Sequence, residues 1–298
     1  MAEKYVVDYQ VFGVIYFEHD NIFSGPDLAH LWKQTHIFGD QKGLGNFYRL
    51  DAITNPNRPR SFRLGTMNAF DPLLLESSLP IYGGVSSTQR GGRFCDCDFF
   101  FSQGTSGRSF GYETLPEFVL GCSGQWFELA GSEAVVELFR TQLEIADQYS
   151  PPYALVDVAA SEDCYSGFAY VSCFSLNNRL HRWSEHIKWL YACSKQRDQA
   201  RGVYWGNYFG AAILDRLGGR ERFLTRFREQ TQDAFGSPNA RIWEFPNGVF
   251  VSLCMDPLGC KPGQPLDGSA GQNLHWLVLE LGSHGVLNPW ADNQPRQP

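Results

Sequence analysis

The chain has 298 residues, of which 43% are apolar, 15% aromatic and only 19% charged. That balance supports a large packed core and excludes a disordered chain. The start, Met1–Asp8, lacks the basic opening and the apolar run of about 7 to 15 residues of a signal peptide. No window approaches the roughly 18 apolar residues of a membrane helix, so the expected location is the cytoplasm.

In chain order, Gln10–Phe17 is β-branched and aromatic throughout and predicts a central strand covered on both faces. Ser24, Pro26 and Asp27 then start a helix reaching Gly39. Residues 40 to 125 are rich in Gly, Pro, Asn and Ser and predict irregular β structure, with strands at Asn46–Asp51, Arg93–Phe101 and Glu117–Gly121. In the second of these stretches, strict alternation puts Asp96 and Asp98 on one outward face.

Gln125–Ala130 reads as a strand leading to a helix capped by Ser132, with Val135, Phe139, Leu143 and Ala146 inside and Glu133, Glu137 and Glu144 outside. Pro151-Pro152 ends that helix before a strand at Tyr153–Ala159. A basic helix is expected over Leu180–Lys195, then a strand at Val203–Phe209 in which Gly206 permits close backbone approach. A short helix closed by Gly218-Gly219 and a second one from Phe223 follow. Arg241–Phe245 and Val249–Cys254 flank Pro246-Asn247-Gly248, read as a hairpin with a primed turn. Leu274–Leu281 reads as a last strand before a tail.

The expected class is therefore α+β: a mixed, mainly antiparallel sheet with helices packed on it and an irregular, loop-rich N-terminal half. Residues 1–284 are expected to form one domain, with two lobes (1–150 and 151–284) as the alternative. Residues 285–298 are expected to form a partly mobile tail.

Charge is segmented along the chain. Residues 94 to 178 hold twelve carboxylates against only Arg108 and Arg140, a balance of −10, whereas residues 179 to 241 hold twelve Lys or Arg against six acids, giving +6. The acidic block attracts a basic protein surface and repels nucleic acid. Asp96, Asp98, Glu133, Glu137, Glu144, Glu162 and Asp163 are the candidate partner-binding residues; an ordinary solvated acidic face is the alternative.

Signals for chemistry are weak. The eight cysteines include no CxxC pair, and Cys95-Asp-Cys97 is too tight for a zinc knuckle. His181 and Glu185 lie four residues apart, which is neither HExxH nor HxxEH, and Ser123 lacks the GxSxG frame. Gly43, Gly45, Gly91 and Gly92 fit no phosphate loop, and Arg58, Arg60, Arg63, Arg90 and Arg93 are too local for a nucleic-acid footprint. No catalytic residue, metal or cofactor is assigned.

The run Arg201-Gly-Val-Tyr-Trp-Gly-Asn-Tyr-Phe-Gly210, followed by Leu217-Gly-Gly219, resembles bacterial polymorphic-toxin and type VI secretion immunity proteins, the immunity-protein-52 group above all. The resemblance covers the C-terminal half. It implies a non-enzymatic cytoplasmic antitoxin whose partner is a cognate nuclease effector with a basic domain, with no direct contact to nucleic acid or membrane. The alternatives are a non-catalytic scaffold or ligand-binding protein, or a hydrolase built on His181, Glu185 or Ser123.

Overall fold

The computed structural model describes residues 9–18, 48–53, 60–64, 82–88, 95–102, 117–123, 127, 131–160, 198–260, 266 and 268–287. Among the described residues ten strands make one sheet: β1 (Tyr9–Tyr16), β2 (Tyr48–Ile53), β3 (Arg60–Leu64), β4 (Tyr82–Thr88), β5 (Cys95–Ser102), β6 (Glu117–Ser123), β7 (Tyr153–Ala160), β8 (Gly206–Gly210), β9 (Ile242–Glu244) and β10 (Gly248–Ser252). Their order is β3-β2-β4-β5-β6-β1-β7-β8-β10-β9, and neighbours pair antiparallel throughout. The described helices are α1 (Ser132–Asp147), α2 (Ala211–Arg216), α3 (Arg220–Gln230) and α4 (Gly268–Ser283), with a 3-10 turn at Pro257–Cys260. The α+β class with a mainly antiparallel sheet is what the structure shows.

β1 sits between β6 and β7, and Val11 to Phe17 are buried, which its unbroken apolar run requires. Residues paired across an antiparallel ladder share a face, so Gly13, Leu120 and Val156 form one side. Phe139 of α1 lies there: a Cβ on Gly13 would come 2.7 Å from its ring, so the missing side chain is what lets α1 seat on β1. On the opposite face the rings of Tyr16 and Tyr153 stack at 6.2 Å, Tyr153 reaches Phe209 at 6.2 Å, and Phe209 meets Phe223 of α3 edge-on at 5.6 Å. Trp276 of α4 closes on Phe223 and Phe227. Helices thus cover both faces, and truncating a ring at the centre of such a core costs about 3–5 kcal/mol.

Several local expectations hold and others are corrected. Gly206 does allow close approach, since a Cβ there would fall 2.3 Å from the Phe250 ring. Gly218 and Gly219 end α2 with positive φ, as a helix closed by glycines requires. Ser132 is not a cap: Gly131 holds that position and no side chain caps the helix. The segment before it is not a strand at Phe127, which is helical and accepts the Gly131 N–H at 2.9 Å.

Leu274–Leu281 is helix, not strand. Ala270, Asn273, Leu277 and Leu281 are buried at a helical period while Leu279 points outward, and that period outweighs the local alternation. The hairpin exists, but its turn is not primed, because neither Asn247 nor Gly248 has positive φ. β3 and β4 are additional strands, short and polar in sequence. The helices expected at Ser24–Gly39 and Leu180–Lys195 lie outside the described residues.

Substituting Gly13→Val is expected to destabilise the protein by about 1–3 kcal/mol through overpacking against Phe139. Gly282→Ala, in the last turn of α4 with open space around it, is expected to be neutral or to stabilise by up to about 1 kcal/mol. Urea unfolding of the two variants checks the contrast; equal midpoints would remove the claim that α1 seats on a bare strand.

Candidate functional site

The proposed partner-binding carboxylates fall into three groups. Glu133, Glu137 and Glu144 project from the exposed stripe of α1, as their spacing predicts. Asp96 and Asp98 lie on β5. There, Ser86 pairs with Asp98 and Thr88 with Cys95, so β5 carries one residue more than β4. Glu162 and Asp163 lie outside the described residues, as do His181 and Glu185; Ser123 is the last residue of β6, paired with Gln10.

The α1 stripe is less negative than the sequence implies. Arg140 lies within it and pairs with Glu137 at 3.6 Å. Arg241, arriving from the start of the β9–β10 hairpin, binds Glu133 and donates through Nε to the Met255 carbonyl at 2.6 Å. Glu144 has no ion-pair partner among the described residues. Two further members of the acidic block, Asp147 and Asp157, are buried and contribute nothing to the surface. Arg241 thus links Glu133 at the N-terminal end of α1 to the backbone of half-exposed Met255.

Most of the described arginines of the basic segment are likewise occupied. Arg216 pairs with Asp198 at 2.5 Å, Arg220 and Arg228 share Glu244, and Arg226 binds buried Glu280 while lying 5.6 Å from the Trp276 ring. Arg201 is itself buried.

Asp147 holds the far end of α1 in place. Its carboxylate accepts the Tyr208 hydroxyl at 2.6 Å and the Asn247 backbone N–H at 3.1 Å, and its carbonyl accepts the Asn247 side-chain amide at 2.8 Å. Burial, then the bond to Asp147 and its negative charge, push the Tyr208 phenol far above its ordinary value. On the other side, Arg220 of α3 donates to the Phe245 carbonyl at 2.6 Å.

Sequence reasoning missed one protruding aromatic. Phe235 is 93% exposed in the loop between α3 and β9. Asp233 fixes that loop by accepting the Phe235 and Ser237 N–H groups, each at 2.8 Å. The signal was present as Asp233-Ala-Phe-Gly236, an aspartate turn ending on a glycine with φ of 80°.

For small-molecule chemistry the described residues offer little. A cavity under α1, lined by Gly13, Phe118, Phe139 and Gln142 among others, has about 10 Å³, the room of one water. No cluster of three metal-ligating side chains occurs among the described residues. What α1 and its neighbours present is a surface.

No protein-family model matches the chain, so none stands behind the resemblance to the immunity-protein-52 group, and no curated protein matches it either. Among solved structures, the chain is similar to the Pseudomonas aeruginosa T6SS protein PA0821. The match has a TM-score of 0.61 at 11% sequence identity and covers 94% of this chain and 73% of that one. At that identity the two share a fold. No helix among the described residues is long and apolar enough to cross a membrane.

Tyr208→Phe is expected to cost about 1.5–3 kcal/mol, because it removes a buried hydrogen bond to a carboxylate. The pH dependence follows from the sign of the shift. Tyr208 keeps its proton in the fold while an unfolded tyrosine ionises near pH 10, so its contribution is complete below about pH 10 and falls as pH rises beyond it. Stability measured from pH 8 to 11 should decline less steeply in the Phe variant. Parallel curves would show that Tyr208 is not the group responsible.

Proposed function

We propose that the protein is a non-enzymatic immunity protein that binds and neutralises a nuclease-type effector delivered by a type VI secretion system. The observation that carries this reading is the fold shared over nearly the whole chain with a T6SS protein of Pseudomonas aeruginosa. The run Arg201–Gly210 and the exposed, charged stripe of α1 support it. The cytoplasm is the proposed site of action, where a DNA-cleaving effector would do its damage.

The exposed stripe of α1 is the proposed contact, with Glu144 as its uncompensated charge and Met255 as an apolar neighbour beyond Glu133 and Arg241. An interface of this kind takes its association rate from the exposed charge and its lifetime from the apolar contacts. Because Glu133 and Glu137 already have arginine partners, their own share in steering is smaller than that of Glu144. Inhibition would follow from covering the substrate path of the effector or from blocking its assembly.

Co-expression with a candidate nuclease effector from the neighbourhood of this gene, in a bacterium sensitive to it, should restore growth and yield a stable complex without DNA-cleaving activity. Absence of both rescue and co-purification would sink the immunity reading. Within a complex that does form, Glu144→Lys should slow association by about 3- to 10-fold at low salt, with the difference shrinking as salt rises. Association kinetics unchanged by Glu144→Lys would place the contact elsewhere.

A further inference from the structure

Beyond β10, the chain passes through Cys254 and returns by the Pro257–Cys260 turn, bringing two free thiols to 3.7 Å, sulfur to sulfur. We propose that Cys254 and Cys260 are a peroxide-sensitive pair: Cys254 reacts first with a hydroperoxide, and Cys260 then closes an intramolecular disulfide. This does not depend on the immunity reading.

The geometry is built rather than incidental. The Cys254 carbonyl accepts the Trp205 indole N–H at 3.1 Å and the Ser252 hydroxyl at 2.8 Å. One residue earlier, the Leu253 N–H bonds the Trp205 carbonyl at 2.7 Å and the Leu253 carbonyl accepts from Asn273 at 2.9 Å. The backbone carrying the first sulfur is thus held on both sides.

The turn carrying the second sulfur is organised by Asp256. Its carboxylate accepts the Leu258 N–H at 2.8 Å and its carbonyl the Gly259 N–H at 3.0 Å. A Cβ on Gly259 would stand 3.0 Å from the Cys254 sulfur, so glycine leaves that sulfur room. Bond formation requires the sulfurs to close from 3.7 Å to about 2.05 Å, a shift within reach of side-chain rotation and a small movement of the turn.

The two thiols are not equivalent. Cys254 is only partly buried, and the hydrogen bond with Cys260 holds its thiol below the ordinary cysteine value even though burial opposes this. Cys260 is buried, and the same bond and its burial push its thiol up. A reachable sulfur biased toward thiolate beside a buried, protonated one is the arrangement that oxidation to a disulfide uses.

In the first step the Cys254 thiolate attacks one peroxide oxygen; the S–O bond forms, the O–O bond breaks, and the other oxygen leaves as water after taking up a proton. Cys254 is then a sulfenic acid. In the second, the Cys260 sulfur attacks the Cys254 sulfur; the S–S bond forms, the S–O bond breaks, and the hydroxyl leaves with the Cys260 proton as water. Two thiols have lost two electrons and two protons, and one hydrogen peroxide has become two waters.

The test uses the reduced full-length chain, exposed to graded hydrogen peroxide, quenched with N-ethylmaleimide and digested with trypsin. The fragment starting at Ile242 contains Cys254 and Cys260 and no other cysteine. Both labels should be lost together, with a mass decrease of about two hydrogens in the fragment that dithiothreitol reverses. Cys260→Ser should accumulate a dimedone-reactive sulfenic acid at Cys254, whereas Cys254→Ser should leave Cys260 unreactive to dimedone. If the serine variants do not fold, the wild-type fragment still decides. Retention of both labels at peroxide doses that fully oxidise a free-cysteine peptide would overturn the proposal, as would direct passage of Cys254 to sulfinic acid without a disulfide.

Discussion

The structure is tied together at the turn between β9 and β10, which two helices grip from opposite faces of the sheet. Asp147, the last residue of α1, takes the Asn247 N–H and the Tyr208 hydroxyl, and Arg220, the first residue of α3, takes the Phe245 carbonyl. A buried carboxylate is tolerated only when its acceptor sites are filled, and here the filling groups come from β8 and from the turn. The same bonds that satisfy Asp147 therefore fix where α1 ends and how the outer hairpin sits on the sheet. The turn itself is not primed because Pro246 is one of its two central residues, between Phe245 and Gly248 whose N–H and carbonyl close it at 2.9 Å, and a proline ring holds φ negative.

Charge follows a similar logic. Viewed along the chain, an acidic block precedes a basic one. In the fold the two are brought into contact, Arg241 with Glu133, while Arg220 and Arg228 take Glu244 of the hairpin and Arg226 takes Glu280 of α4. What remains for a partner on α1 is a narrow stripe that mixes Glu137, Arg140 and Glu144, with Met255 linked to it through Arg241. Recognition there would rest on the pattern of charges and shape more than on bulk negative potential.

The parts of this arrangement that are local were legible in the sequence. β1 announces itself by an unbroken apolar run, α1 by its stripe from Val135 to Ala146, and the β8-α2-α3 passage by glycines at the points of closure. β3 and β4 were not legible, because Arg-Ser-Phe-Arg-Leu and Tyr-Gly-Gly-Val-Ser-Ser-Thr have little apolar alternation of their own and pair within the sheet through their backbones. α4 was misread because Leu274, Trp276 and Val278 alternate over a few residues, while its helical period emerges only over the full sixteen. Of the candidate site, exposure of the three α1 glutamates could be read from helical spacing. Burial of Asp147 and pairing of Glu133 with Arg241 could not, since each depends on residues about a hundred positions away.

The place of β1 in the sheet has a consequence for biosynthesis. Among the strands described it is the first to be made, yet the neighbours that cover it are β6 and β7, and the pairing Tyr16 with Tyr153 closes a loop of about half the chain. Contacts this distant in sequence make folding slow. Until β7 has emerged, Val11 to Phe17 form an apolar segment of high β-propensity with no native partner on that side, the kind of segment that associates with other chains. The nascent protein is thus expected to need shelter through much of its synthesis, and its yield in the cell to be governed by that interval as well as by the stability of the finished sheet.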